Sequence, residues 1–433
     1  MLGRMRQDPL RFLWQPATMQ RRAAAVLRAA QAGNSPYFRI DLPALMQWVH
    51  ERLVPATDVT PGPADVPMPW AHQPPVEAAR SACDFAVVAS LLSAHPGANW
   101  TFDPTRQEAL ALPQHRQSSD DLLALLNAAS ASPAPAPRPD TQHAPSRWSG
   151  ALGMLRATAL AFESGAFSSD PQQPWRADVR ALRLLDTAAV RAMFQAGPEN
   201  IWVGLEGRTA MLRGWADAIA LTTAAPSPEV IARASEPFFP FLSPEPGPPA
   251  TQSLLDAVMR LWAMARPEVN RVLGLPAGDV WPHRWAGREV DENGQTDMGT
   301  SGVMPLHHQA LVMAQALDEV IAQVRGASAL PLSLPAATDA VSVQAMLDAG
   351  ALQVRHLSDR RHTWRPEDEW TIEARALSMA LWEQAAHQLR EIAPSRMGQC
   401  VSVRTWQRSY AASIPMKVEA DAVALLSGQG TYF

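Results

Sequence analysis

At 433 residues, with 47% apolar and 18% charged side chains, the chain can bury a large core, which excludes wholesale disorder. Thirty-seven basic against forty-two acidic residues give a formal net charge of −5, so there is no global positive field for nucleic acid or an anionic membrane. Two cysteines, Cys83 and Cys400, exclude a disulfide framework and a cysteine-rich zinc site and point to a reducing compartment.

The first thirty residues carry scattered arginines but lack the apolar stretch and cleavage site of a secretory signal. No later segment offers the roughly 18 uninterrupted apolar residues of a membrane span, so a soluble cytoplasmic protein without a membrane partner is expected. Abundant alanine, leucine and arginine with few β-branched runs predict helices over 18–32, 41–53, 76–93, 119–130, 150–164, 186–196, 206–222, 251–265, 305–325, 340–349 and 367–391. In the 206–222 segment Met211, Trp215 and Ile219 form one apolar stripe that should face the core. Thirty-nine prolines punctuate the helices. The tract 130–146 is rich in proline and alanine and reads as a surface loop without fixed order. A second break at 236–250 should anchor Phe238, Phe239 and Phe241 inward. The expected architecture is mainly α: one large helical body over 1–433, divisible into two lobes around a central cleft, with few short strands.

Lys417 is the only lysine, which removes a P-loop GK[ST] and makes Schiff-base chemistry improbable. The eleven histidines show no HxH or HExxH spacing, so no metal site is expected. His307 and His308 follow Pro305 at a helix start, where backbone N–H groups favour an anion; packing of one ring and solvation of the other explain them equally simply. Glu369 and Glu373 stand four apart on a segment that is apolar nearly all round. They read either as a desolvated functional pair or as carboxylates paired with Arg375 or a distant arginine. Glu206 opens a helix, either stabilising its end or organising a pocket with Arg208 and Arg213. Asp279 suggests a turn residue or a polar group beside Trp281. Asp339 precedes a short helix ended by Gly350, and N-capping is its default role.

Taken together, ARSACDFAVVASLL at 79–92, GANW at 97–100, SGAFSSD at 164–170, VGLEGRTAMLR at 203–213, PAGDVWPH at 276–283, VMPLHH at 303–308, EWTIEARALSMAL at 369–381 and the terminal GTYF resemble the uracil catabolism protein 4 family. The chain departs from that pattern at Ser93, where an aspartate is usual, at GALG (150–153), at DAVSVQ (339–344) and at His308, where a lysine is usual. That family is similar, more distantly, to the queuosine-salvage N-glycosidases, helical proteins related in fold to DNA glycosylases. DAVSVQ keeps Asp339 and Gln344 of one segment they share, and IEARA keeps Glu373 and Arg375 of another.

The resemblance implies a DNA-glycosylase-like helical fold in part, and hydrolysis of an N-ribosidic bond in a nucleotide-derived small molecule, such as a ribosyl-urea phosphate or a ribosylated pyrimidine. On that expectation Asp339 and Glu373 are catalytic and share one enclosed, sugar-sized site. Arg375 and Gln344 assist them, Glu206 and Arg208 brace the pocket, Asp279 and Trp281 line it with Trp281 stacked on a planar base, and phosphate lies at His307 and His308. No metal or redox cofactor is required. Two alternatives stay open: a catalytically silent binding protein for a nucleotide-like metabolite, motivated by the departures above, and an enzyme repurposed for a pyrimidine or riboflavin-like precursor in biosynthesis.

Overall fold

The computed structural model describes residues 9–53, 72–93, 96–97, 100–104, 148–170, 172–223, 231–243, 250–265, 270–287, 299–326, 334–355 and 365–392. The helix expected at 119–130, the tract at 130–146, Cys400 and the terminal GTYF lie outside them. The described residues form a mainly α protein. Its helices are α1 (Pro9–Leu13), α2 (Pro16–Gln31), α3 (Leu42–Trp48, continued as a π-turn over Val49–Leu53), α4 (Pro75–Leu92), α5 (Gly150–Glu163), α6 (Val179–Leu184), α7 (Thr187–Met193), α8 (Leu205–Thr222), α9 (Ala250–Ala265), α10 (His308–Arg325), α11 (Ala340–Asp348) and α12 (Glu369–Ile392). Strands are short: β1 (Phe38–Ile40), β2 (Thr101–Phe102), β3 (Trp148–Ser149), β4 (Arg271–Val272), β5 (Leu275–Pro276), β6 (Val280–Pro282), β7 (Val303–Pro305) and β8 (Leu352–Val354). They pair only two by two, β1 with β8, β2 with β3, β4 with β5 and β6 with β7, all antiparallel. Among the described residues no helix is long and apolar enough to cross a membrane.

The chain divides into two compact units. The first takes Met1–Asp65, Arg266–Leu311 and Pro331–Phe433. Its centre is α12, whose residues from Trp370 to Trp382 are all buried. The neighbour that covers it most is α2, through the stripe Met19, Ala23, Val26, Leu27 and Ala30, which repeats at helical spacing. Aromatic contacts close other sides: Trp48 meets Trp382 edge-on at 5.5 Å and Phe38 meets Trp370 at 5.1 Å. Trp382 Nε1 donates to Ser342 O of α11 at 3.0 Å. Buried Arg22 of α2 donates to Thr300 O (2.9 Å), Thr300 Oγ1 (2.7 Å) and Val303 O, which pins the turn before β7.

The second unit takes Val66–Ala265 and Val312–Leu330. Here α8 packs against α9, α6, α7 and α4, with Met211, Trp215 and Ile219 buried as the stripe predicts. A Cβ on Gly214 would stand 2.0 Å from Ala265 O, so only glycine admits the end of α9 so close to α8. Fully buried Asp84 of α4 accepts from Ala177 N (3.1 Å), Arg233 Nε (2.8 Å), Ser235 N (3.1 Å) and Ser235 Oγ (2.5 Å). Burial pushes its carboxyl up from the usual range against the lowering effect of those donors. The break at 236–250 begins as a 3-10 turn over Glu236–Leu242. Phe238 is buried as expected, whereas Phe239 and Phe241 are half-buried; Arg80 and Arg233 cover the Phe239 ring at 5.0 and 5.6 Å.

Candidate functional site

The first unit gathers most of its buried polar chemistry where β6 and the start of α10 meet α12. Gly278 adopts φ 79, which turns the chain into β6, and Asp279, Trp281 and His283 follow at every second residue. Register with β7, Trp281 against Met304, brings Leu306 and the head of α10 back beside Asp279. The Asp279 carbonyl accepts from Leu306 N (3.0 Å) and His307 N (3.3 Å), and its carboxylate Oδ2 accepts from His308 N (3.3 Å). One residue therefore satisfies three backbone donors at a helix start.

The Asp279 carboxylate also meets the Arg375 guanidinium as a fork, Nη1 to Oδ1 at 3.0 Å and Nη2 to Oδ2 at 2.7 Å, and accepts Trp281 Nε1 at 2.6 Å. Burial alone would raise its carboxyl. The Arg375 charge and hydrogen bonds, with His307 and Trp281, outweigh burial and hold it below the usual carboxylate range. Arg375 Nε and Nη2 extend to Thr338 O (3.2 Å) and Oγ1 (3.3 Å). Thr338 N in turn donates to His308 Nδ1 at 3.2 Å, which leaves the proton of a neutral His308 ring on Nε2. That nitrogen lies 4.0 Å from Asp339 Oδ2. Asp339 Oδ1 caps α11 by accepting from Ser342 N at 2.8 Å, and the side chain keeps 37% of its surface in solvent. A hydrogen-bonded chain thus runs from Trp281 through Asp279, Arg375 and Thr338 to His308, and ends beside a solvent-facing carboxylate.

His307 is fully enclosed at φ 46, a left-handed conformation that costs an L-residue about 1–2 kcal/mol. Burial lowers its imidazole to about 4, with the Asp279 charge opposing and Arg375 adding to the drop. It is neutral near pH 7 and supplies no positive charge to a phosphate. The first N–H of α10, one of the donors expected to face a phosphate, is engaged by the Asp279 carboxylate.

Glu373 and Arg375, two residues apart, point roughly 160° apart around α12, so the arginine cannot serve Glu373. Glu369 instead takes Arg284 as a fork, both contacts at 2.5 Å, and accepts Tyr37 Oη at 3.4 Å. The Arg284 hydrogen bonds hold Glu369 below the usual carboxylate range. Burial, then the Glu369 charge, raises the Tyr37 phenol. One turn deeper, Glu373 is wholly buried with its Oε2 3.6 Å from His283 Nε2. Among the described residues Glu373 Oε2 and His283 Nε2 face only each other, and Glu373 Oε1 has no hydrogen-bonding partner. The His283 ring is oriented by Trp285 N, which donates to Nδ1 at 3.4 Å, while the backbone N–H of His283 donates to Gly302 O at 2.8 Å.

Of the residues singled out in the sequence, Asp279, Trp281, His308, Asp339 and Arg375 therefore belong to one network with His307 beside it, and Glu373 to a second on the other side of α12. The expected pairing of Asp339 with Glu373 is replaced by Asp339 with His308 and Glu373 with His283. Trp281 is buried and donates to Asp279 rather than presenting an open face for stacking. Gln344 donates to Asp348 at 2.6 Å. Glu206 and Arg208 lie in the second unit: Glu206 is exposed on the first turn of α8, and buried Arg208 donates to Val203 O (3.2 Å) and Leu92 O with its guanidinium over Trp202. The network of the first unit is built without them. Sequence reasoning passed over His283, Arg284 and Thr338. Strand alternation from Asp279 through Trp281 reaches His283 and was the available signal. Among the described residues no three His, Cys, Asp or Glu side chains gather as a metal would need.

A family model described as a protein of unknown function (DUF1688) matches residues 140–406, a stretch that contains both networks except Tyr37. Protein urg3 of Schizosaccharomyces pombe (strain 972 / ATCC 24843) is 39% identical over 61 residues, 14% of this chain and 15% of that relative. The match therefore spans well under two thirds of the curated relative's length.

Proposed function

The chain belongs to the DUF1688 family of proteins of unknown function, and from that premise we propose that it hydrolyses the N-ribosidic bond of a small nucleotide-derived molecule, a ribosyl-urea or ribosylated pyrimidine. The resemblance to uracil catabolism proteins and the partial match to protein urg3 favour a pyrimidine-related substrate. One observation carries the chemistry: Asp339 is fixed by its Ser342 cap, reaches solvent, and directs Oδ2 toward His308 Nε2 at the end of the buried network. Departure of an N-linked base with the C–N electron pair leaves an oxocarbenium-like sugar. Asp339 would stabilise that charge and take a proton from water as its oxygen bonds to the anomeric carbon; the departing nitrogen takes up a proton. Thr338 and Arg375 are positioning residues, holding His308 in the tautomer that faces Asp339. A phosphate at His307 and His308 is not part of the proposal.

The test is ribose release from uridine, ribosylurea and their 5′-phosphates. Asp339→Asn should lose about 10²–10⁴-fold in turnover. Its melting temperature should hardly change, because asparagine caps a helix as well as aspartate. Full turnover by Asp339→Asn would refute the assignment. The capping duty of Asp339 also suits a second reading, a binding protein without turnover; tight calorimetric binding of a nucleoside without ribose release would establish it.

A further inference from the structure

His308 and Asp339 belong to the same compact unit, and both are held in place by backbone donors. Thr338 N donates to His308 Nδ1 at 3.2 Å, so the ring is an acceptor on that side and a donor at Nε2. Ser342 N donates to Asp339 Oδ1 at 2.8 Å, and Oδ2 is the oxygen that faces the ring. Nε2 and Oδ2 are 4.0 Å apart, too far for a direct hydrogen bond and the span that a single oxygen bridges. An oxygen about 2.7–2.9 Å from each subtends an angle of about 90° between them. It accepts from Nε2–H through one lone pair, donates one hydrogen to Oδ2, and keeps a second lone pair for a third direction. Asp339 leaves 37% of its side-chain surface in solvent, so that oxygen is reached from outside.

The species that fits is chemically restricted. Water and a small alcohol each carry a lone pair beside an O–H. Inorganic phosphate brings negative charge against the Asp339 carboxylate, and the N–H of a neutral ring offers a dipole rather than a cation to offset it. We infer that His308 is a second catalytic residue: with Asp339 it holds the attacking water and restricts the acceptor to water or a small alcohol, so that the N-ribosidic bond is hydrolysed and not phosphorolysed. This rests on the proposed function and names its co-substrate. The C1′–N bond breaks with its electron pair on the base nitrogen, which is protonated from solvent. The water lone pair forms the C1′–O bond, and the proton that water gives up passes to Asp339 Oδ2 and on to solvent. His308 keeps its proton throughout.

The experiment follows products from uridine and ribosylurea with the full chain, in buffer and with methanol or inorganic phosphate added. Ribose should form in buffer and methyl riboside beside it in methanol, whereas phosphate should yield no ribose 1-phosphate. Two variants separate catalysis from support. The shorter amide of His308→Asn keeps an acceptor for Thr338 N but withdraws the donor from Asp339; His308→Gln keeps a donor near the Nε2 position and gives up the Nδ1 acceptor. His308→Asn should lower kcat about a hundredfold with KM little changed, the cost of misplacing a reactant by about 1 Å. His308→Gln should lose about tenfold less. The share of methyl riboside should also change in His308→Asn, and that share does not depend on how much of the protein is folded. If His308→Gln does not fold, His308→Asn decides alone. A purely structural role reverses the order of the two variants. That reversal, parental turnover in His308→Asn, or ribose 1-phosphate as a main product would overturn the inference and leave cleavage of the N-ribosidic bond standing. No cleavage by the parent in any of the three media would remove the hydrolase reading together with it.

Discussion

Arg375→Met tests whether the buried ion pair governs the first unit. The substitution keeps the length and apolar stem of the side chain but removes both contacts to the Asp279 carboxylate, at 3.0 and 2.7 Å, and both to Thr338. Asp279 would keep Trp281 Nε1 and His308 N as donors and lose its only bonded cation in the network. Breaking one side of a buried pair in this way costs about 3–5 kcal/mol, read as a lower urea midpoint at pH 7. The double variant Asp279→Asn/Arg375→Met has no stranded charge and should be more stable than Arg375→Met alone. The pH dependence should also change sign at this residue. In the parent, Asp279 is held below the ordinary carboxylate value of 3.8, so its contribution is complete above that value and is lost as acid takes the pH through the lower folded value. Without Arg375, burial dominates and the folded carboxyl rises, so the variant should recover stability relative to the parent as the pH falls from 7 toward 5. A deficit under about 1 kcal/mol, or one that is the same at both pH values, would refute the reasoning.

Because burial depresses His307 to about 4, its imidazole resonances should show no titration between pH 5 and 8. The stability it contributes is complete above its ordinary value of 6.5 and lost as the pH falls through about 4; an NMR midpoint near 6.5 would contradict this. Gly214→Ala sets a methyl carbon 2.0 Å from Ala265 O and should destabilise the second unit by about 1–3 kcal/mol or more, measured by urea unfolding, whereas a neutral result would show that α9 can retreat at no cost.

Helices with strong periodicity were legible in the sequence: the spans expected at 76–93, 206–222, 251–265 and 340–349 match α4, α8, α9 and α11 to within a residue or so. The short α1 and α6 escaped notice because five and six residues leave too little pattern to count. At the site, residue types that declare themselves locally were found, Asp339 as a cap and Glu373 as a charge on an apolar helix. Their partners were not, because Arg284 with Glu369 and Arg375 with Asp279 join positions 85 and 96 residues apart. Arg375 turned away from Glu369 and Glu373 for reasons of helix geometry, which the sequence alone did not weigh, whereas Glu206 and Arg208 belong to the second unit.

The packing of α2 on α12 has a consequence for synthesis. All segments of the second unit have been synthesised once Leu330 is made, but the first waits for residues 369–392 before α2 meets the helix that covers it most. Until then the apolar stripe of α2 needs shelter by a chaperone or by itself. A fragment cut to residues 140–406 would retain α12 yet lack α2, β1 and α3, and so would leave the central helix bare where it is most apolar.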